Sequence, residues 1–298
     1  MSASLPILDE LPTGYFVDES PRGILVLHVD AARGIHETGY GPEHDGDLRV
    51  SELSGRRPLH ELVVEGKRLI VRRFSHGGLM RWITGERYLD PQRPFRELLL
   101  SDTLRRAGIA TPQVVGARSR PAKGWGWNLD LISRHVPGTT DLGFLLRLAR
   151  RGELQESAKH ALLRETGSLV RKMHRHGCLH ADLTPTNILT NADVVEGQQP
   201  KLWVIDLDQS IIREKPTRVE LLQNLRRLYR YVARREHELG PVLSAKDYQR
   251  FMMAYEPKRE KRRALMKEIQ SAHRRRQFLH GLGWLFERLF RTSTDPRN

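Results

Sequence analysis

The chain has one cysteine, Cys178, in 298 residues. A single thiol forms no internal disulfide, so the sequence lacks the staples of small secreted domains and reads as a protein of a reducing compartment. It also lacks any apolar run near the roughly 20 residues that cross a bilayer. The longest candidate, Gly23-Ile-Leu-Val-Leu-His-Val29, has the length of a buried strand. Met1-Ser-Ala-Ser-Leu-Pro-Ile-Leu-Asp-Glu10 has no basic start leading into an apolar stretch, so no signal peptide is expected. Glycine (24) and proline (16) are too sparse for collagen or a linker, and 39% apolar residues is too many for a disordered chain. There is no internal repeat and no low-complexity tract. The length suits one large domain or two lobes sharing a cleft.

Acidic residues are in deficit: 36 Asp/Glu against 50 Lys/Arg, a formal charge of +14. The excess is concentrated at one end, because residues 211–298 hold 22 Lys/Arg against 10 Asp/Glu. Lys258-Arg259-Glu260-Lys261-Arg262-Arg263 and Arg274-Arg275-Arg276 are denser than solubility requires. Such clusters imply an anionic partner, either nucleic acid or an acidic membrane surface, and composition alone does not choose.

Along the chain, residues up to about 50 read as strands and loops around the Gly23–Val29 run. Three alternating segments follow, Leu48–Gly55, Leu59–Val64 and Arg68–Phe74. Pro94–Gly108 reads as a helix with proline at its start and glycine at its end. Gln113–Ser119 and Trp127–Ser133 are strand candidates, and Val136-Pro-Gly138 reads as a hinge. Helices are expected over Leu142–Arg151 and Ser157–His176, then a hairpin from Cys178 to Asp208, then basic helices. Strands first and helices second predict an α+β protein of two lobes.

The segment richest in chemistry is His180-Ala-Asp182-Leu-Thr-Pro-Thr-Asn187-Ile-Leu189, followed by Leu202-Trp-Val-Ile-Asp206-Leu-Asp208. An aspartate, an asparagine five residues on and a second aspartate after a buried strand resemble the catalytic loop and metal-binding strand of the protein-kinase-like fold. In that chemistry one Asp orients the acceptor hydroxyl and takes its proton, while the Asn and the second Asp face a divalent metal between phosphates. The pattern assigns Asp182 as the catalytic residue, Asn187 and Asp206 as Mg²⁺ ligands, and Asp208 as a contributor to a second metal. His174 and His180 are expected to pack or hydrogen-bond the loop. His176 and Cys178 are expected to pack locally, since no further cysteine exists for a zinc site.

Some usual parts of such an enzyme are missing. The third strand offers Arg72 where a lysine normally holds the ATP phosphates, with Glu97 on the next helix as its carboxylate partner. The phosphate-covering loop, Ser54-Gly55-Arg56-Arg57-Pro58, has one glycine in place of three, so its backbone amides are expected to contribute less; Gly55 and Arg56 are assigned to the nucleotide, with Arg56 and Arg57 compensating by direct phosphate contact. Between Asp208 and the helices that follow there is no activation segment ending in Ala-Pro-Glu, which argues against a protein kinase.

Taken together, Val71-Arg-Arg-Phe-Ser-His-Gly-Gly78, Phe95-Arg-Glu97, Ala107-Gly-Ile-Ala-Thr-Pro112, His174–Asn187 and Ile205-Asp-Leu-Asp208 make residues 48–215 similar to the lipopolysaccharide kinases. Within that family the likeness is to the branch acting on 3-deoxy-D-manno-octulosonic acid (Kdo). His76 stands where that family has arginine, and Ser133-Arg134 where it has Thr-Glu. The resemblance implies ATP- and Mg²⁺-dependent phosphorylation of a Kdo hydroxyl on a lipid A precursor, at the cytoplasmic face of the bacterial inner membrane. A glycolipid acceptor in an anionic leaflet fits the basic C-terminal region, and no nucleic acid is expected. Phe278–Phe290 is either an interfacial segment or a helix docked on the core. The implied division is an N-terminal extension with a strand (1–45), an N-lobe binding the ATP phosphates (46–135) and a helical C-lobe (136–298). The readings left open are a kinase of a lipopolysaccharide heptose or of a small-molecule alcohol or amine, and a non-catalytic pseudokinase that binds membrane lipid.

Overall fold

The computed structural model of the chain describes residues 5–52, 59–75 and 87–269. Gly55, Arg56, Arg57, His76, Gly77, Gly78, Arg274-Arg275-Arg276 and Phe278–Phe290 lie outside the described residues.

The strand-rich lobe is one seven-stranded antiparallel sheet. Its strands are β1 (Tyr15–Ser20), β2 (Gly23–His28), β3 (Arg49–Val50), β4 (His60–Val64), β5 (Lys67–Arg73), β6 (Val114–Pro121) and β7 (Trp127–Arg134), in the order β1-β2-β6-β7-β5-β4-β3. The apolar run of β2 has a direct cause. Successive side chains point to opposite faces of a strand, and here both faces are covered. Ile24 and Val26 pack with Phe95 and Leu98 of helix α2 (Arg93–Arg106), while Leu25 and Leu27 pack with Ala31, Ala32 and Ile35 of helix α1 (Val29–Glu37). Residues 5–45 thus place two strands and a helix in this lobe, with β2 paired to β6 (Val26 opposite Ala117).

Helix α1 departs from the expectation of strands and loops. Its cap is His28, whose ring accepts from the Asp30 amide, a residue outside the usual Ser/Thr/Asp/Asn signal. It also carries Gly34 in its interior, which reads as a breaker in sequence. The structure shows why glycine stands there: a Cβ would come 2.1 Å from Val64 Cγ1 on β4, so only glycine allows this approach.

The second lobe holds β8 (Thr139–Asp141), helices α3 (Leu142–Arg150) and α4 (Glu156–Arg175), β9 (Cys178–Leu179), β10 (Ile188–Asn191), β11 (Leu202–Val204), β12 (Ile211–Ile212), and helices α5 (Arg218–Leu239) and α6 (Ala245–Tyr255). Residues 259–269 are also helical. Helix starts are specified locally. Asp141 accepts from the Phe144 amide, and Thr217/Glu220 and Ser244/Asp247 form reciprocal capping boxes on α5 and α6. Leu145, Leu162, Val170, Leu225, Leu228 and Met252 fill the core between these helices. Strands β11-β10-β8 form a small sheet and β12-β9 a two-stranded one; the chain between β9 and β12 carries the chemistry-bearing residues. The result is the mixed α/β, bilobal arrangement of a protein-kinase-like fold.

Candidate active site

The catalytic-loop residues are held by their own backbone before any partner arrives. His180 is fully buried and uses both ring nitrogens: Nε2 lies 3.0 Å from the Ile205 carbonyl and Nδ1 accepts from the Asp182 amide at 3.0 Å. The ring is therefore the neutral tautomer with its proton on Nε2, and burial lowers its pKa. One ring thus joins the residue before Asp206 to the residue Asp182 itself. From below, Asn224 of α5 accepts from the His180 amide (3.0 Å) and donates to the His180 carbonyl (2.9 Å). His174 caps this arrangement, 3.4 Å from Asn224 and 2.8 Å from the Tyr255 hydroxyl, with burial depressing its pKa to about 4. Ser210 Oγ accepts from the Ala181 amide. Cys178 is buried with its thiol pushed up to about 12, which makes it inert packing.

On this support the polar residues meet. Asn187 Nδ2 donates to the Asp182 carbonyl at 2.8 Å and to Asp182 Oδ2 at 3.3 Å. Its own carbonyl accepts from the Ile205 amide at 3.0 Å, which ties it to the residue preceding Asp206. Asp206 follows β11 with φ of +59°, a left-handed conformation that aspartate tolerates better than most residues and that turns its carboxylate out of the strand line.

The N-lobe supplies the cation. On β5, Arg72 pairs through Nη2 with Glu97 of α2 and through Nη1 with Asp206 across the cleft. Burial pushes the Glu97 carboxyl up to about 7, against the pull of Arg72. The Arg72 guanidinium also lies 4.5 Å above the Phe74 ring. Of the residues assigned from sequence, Arg72, Glu97 and Asp206 form one group and Asp182 and Asn187 another, the two joined through His180 and the Ile205 backbone; Gly55 and Arg56 lie outside the described residues. Both oxygens of Asp208 accept from Arg93, Nε to Oδ1 at 2.6 Å and Nη2 to Oδ2 at 2.5 Å, and each keeps a second lone pair.

Sequence reasoning overlooked Arg93 and Asn224. Arg93 stands four residues before Glu97, on one face of α2, and that spacing was a usable signal. Asn224 is a polar residue on the apolar face marked by Leu225, Leu228 and Val232, the position where a buried hydrogen bond is expected.

No three His, Cys, Asp or Glu side chains gather as a metal cage among the described residues. Mg²⁺ takes one or two protein oxygens and completes its shell with phosphate and water; oxygens that could serve in that way are those of the Asp206 carboxylate and the Asn187 amide, the latter without a partner among the described residues. A second feature lies away from this cleft: a cavity of about 480 Å³ inside the helical lobe, lined by Leu145, Leu162, Leu228, Phe251, Met252 and Met266 among others.

Comparison with known proteins bears on the family and the fold. The Lipopolysaccharide kinase (Kdo/WaaP) family profile matches residues 45–255. A 3-deoxy-D-manno-octulosonic acid kinase of Stenotrophomonas maltophilia is 30% identical over 239 residues, 78% of this chain and 90% of that protein. The protein of the same name in Xanthomonas oryzae pv. oryzae is 27% identical over the same shares, and that of Haemophilus influenzae 27% over 69% of this chain and 84% of its own. A solved structure, WaaP in complex with acyl carrier protein, superposes with a TM-score of 0.53 at 21% identity, covering 76% of this chain and 88% of that one. The chain belongs to the lipopolysaccharide kinase (Kdo/WaaP) family and is a phosphotransferase of the kinase type.

Proposed function

We propose that the protein transfers the γ-phosphoryl group of ATP to a Kdo hydroxyl on a lipid A precursor. The carrying observation is the contact of Asn187 with Asp182 on a loop that His180 and Asn224 lock from two sides, facing the Arg72–Glu97 pair. Asp182 orients the acceptor hydroxyl and accepts its proton. Arg72 holds the ATP phosphates, and Glu97 fixes the direction of its guanidinium. Asn187 and Asp206 would hold Mg²⁺, which when bound neutralises charge shared between the β- and γ-phosphates. The Arg72–Asp206 contact is then the resting arrangement, exchanged for phosphate when nucleotide enters. Residues 46–135 act as the phosphate-binding lobe and 136–298 as the lobe for acceptor and catalytic loop, with residues 1–45 completing the sheet.

The relatives named as Kdo kinases support the choice of acceptor, as does the basic C-terminal half. No helix among the described residues is long and apolar enough to cross a membrane. Arginines of α5 and the 258–263 cluster therefore serve as a peripheral contact to the anionic cytoplasmic face of the inner membrane. The apolar cavity in the helical lobe suits a hydrocarbon chain. Together with the acyl carrier protein bound to WaaP, it favours an acyl chain, on a carrier protein or on the acceptor, as a second ligand of this lobe.

Transfer of label from [γ-³²P]ATP to purified Kdo-lipid A, set beside heptosylated core and free amino alcohols, tests the acceptor. Labelling of Kdo-lipid A alone is expected. Labelling confined to the heptosylated core would reassign the substrate, and nucleotide binding without transfer to any of them would favour the pseudokinase reading.

A further inference from the structure

The segment after β11 carries two carboxylates on alternate residues, and each meets an arginine of the strand-rich lobe. The two bridges differ. Arg72 divides itself, one terminal nitrogen to Glu97 and the other to Asp206, so it can leave Asp206 and keep Glu97. Arg93 is undivided: its Nε and Nη2 run in parallel to the two oxygens of Asp208, the geometry in which guanidinium and carboxylate bind most specifically. Four-fifths of each side chain is hidden from solvent, with 19% and 18% exposed. The guanidinium also lies beside two rings that meet edge to face, 4.7 Å from the Tyr88 centroid and 5.8 Å from that of Phe74, the same Phe74 on which Arg72 stacks.

Arg93 is also the first residue of α2, and Glu97 lies one turn further along the same face. Whatever fixes Arg93 therefore fixes the height and rotation of Glu97 beneath Arg72. Residues Asp90, Arg93, Arg96, Glu97, Leu207 and Ser210 line a space between the start of the helix and the catalytic segment; further along α2, Leu100 and Leu104 pack with Val204 and Leu207, and at the first turn the arginine fork makes the connection.

We propose that Arg93 is a positioning residue. Its fork on Asp208 latches α2 to the catalytic segment, and so keeps Glu97 under Arg72 when Arg72 gives up Asp206 to engage the phosphates of ATP. In this arrangement Asp208 serves Arg93 and carries no metal. The inference rests on the phosphotransferase reading above and adds to it a residue pair 115 positions apart in the chain.

The test is a double-mutant cycle on the full chain with Arg93→Lys, which keeps the charge and loses the fork, Asp208→Asn, which keeps the shape, and the two combined. Arg93→Gln is the second variant if Arg93→Lys is poorly folded, with thermal unfolding as the check. Misplacement of the phosphate-binding pair by an ångström predicts a fall in kcat of about tenfold to a hundredfold for each single variant. It also predicts a raised KM for ATP, an unchanged half-saturating Mg²⁺ concentration, and a double variant no worse than the worse single one. A rise of the Mg²⁺ half-saturation by about tenfold in Asp208→Asn but not in Arg93→Lys would overturn the latch and return Asp208 to the metal. Additive losses, or a lowered melting temperature with kinetics unchanged, would overturn it as well. Transfer by the wild type that vanishes in Asp182→Asn secures the reading beneath; its absence counts against that reading, whereas normal kinetics in Arg93→Lys counts against the latch alone.

Discussion

Two arginines in the strand-rich lobe are each held by two carboxylates, and they do different things. Arg118, on β6, is fully buried. Its Nε lies 3.0 Å from Asp130, Nη2 reaches Asp45 at 2.6 Å, Nη1 reaches the Gly41 and His44 carbonyls at 2.9 and 2.7 Å, and its face lies 4.0 Å above the Tyr40 ring. Tyr40 in turn donates to Asp130 at 2.9 Å, and Arg73 joins both aspartates. Every donor nitrogen of that guanidinium is spent, as a buried charge requires. Arg72 is 27% exposed and rests on Glu97 and Asp206, with Nε making no hydrogen bond among the described residues. A saturated arginine fastens the loop of residues 40–45 to the sheet; an arginine with spare donors at an opening is available to an anion. The same inventory of groups makes structure in one place and chemistry in the other, and the difference is whether a ligand has room to arrive.

The sharpest way to break this contrast is to remove each arginine in turn. Arg118→Met leaves the buried Asp130 with only Tyr40 and the more distant Arg73, and is expected to cost about 3 kcal/mol of stability in urea unfolding, while the folded fraction keeps its specific activity. Arg72→Met should lower kcat/KM for ATP by about a hundredfold, with a smaller cost of about 1–2 kcal/mol in stability because the buried Glu97 carboxyl loses its partner. Were Arg118→Met stable but inactive, the sealed cluster would belong to catalysis and the comparison would collapse.

The pH dependence adds a third, smaller effect. Burial depresses His174 in the fold from 6.5 to about 4, so the native state favours the neutral ring. Its contribution is complete above about pH 6.5 and is lost as the pH falls toward 4, because the unfolded chain binds the proton first. Between pH 7 and pH 5 this predicts a loss of about 2 kcal/mol from that site. His174→Gln should flatten this part of the profile, and an unaltered slope would remove His174 as its source. Smallest of the set is Tyr40→Phe, which deletes one bond of the sealed cluster and should cost about 1 kcal/mol with no change in kcat.

The catalytic loop was legible in sequence because its chemistry is local: Asp182 and Asn187 are five residues apart, and the turn between them is set by Pro185 and the neighbouring threonines. The β2 run, the three strands before α2 and the helices after Gly138 were legible for the same reason, since periodicity reports which faces are buried. Pairings across the fold were not. Arg93 and Asp208 lie in different lobes, and nothing in either segment names the other. Asp208 was assigned as a contributor to a second metal, and its pairing with Arg93 is visible only in the folded chain. Helix α1 was hidden by Gly34, whose reason for being glycine lies on β4, and by a histidine cap. Asn224 and His174 form a connection of 50 residues under the loop, visible only once α5 is placed.

The central claim is that Asp182 is the group that takes the proton of the acceptor, on a loop assembled without help from substrate. Asp182→Asn keeps the size of the side chain and its contact with Asn187 while removing the base. Measured side by side with the wild type, it should bind Mg-ATP with the same affinity and melt at the same temperature, yet transfer phosphate to Kdo-lipid A about 10²–10⁴-fold more slowly. Transfer at the wild-type rate by that variant would contradict the account at its root.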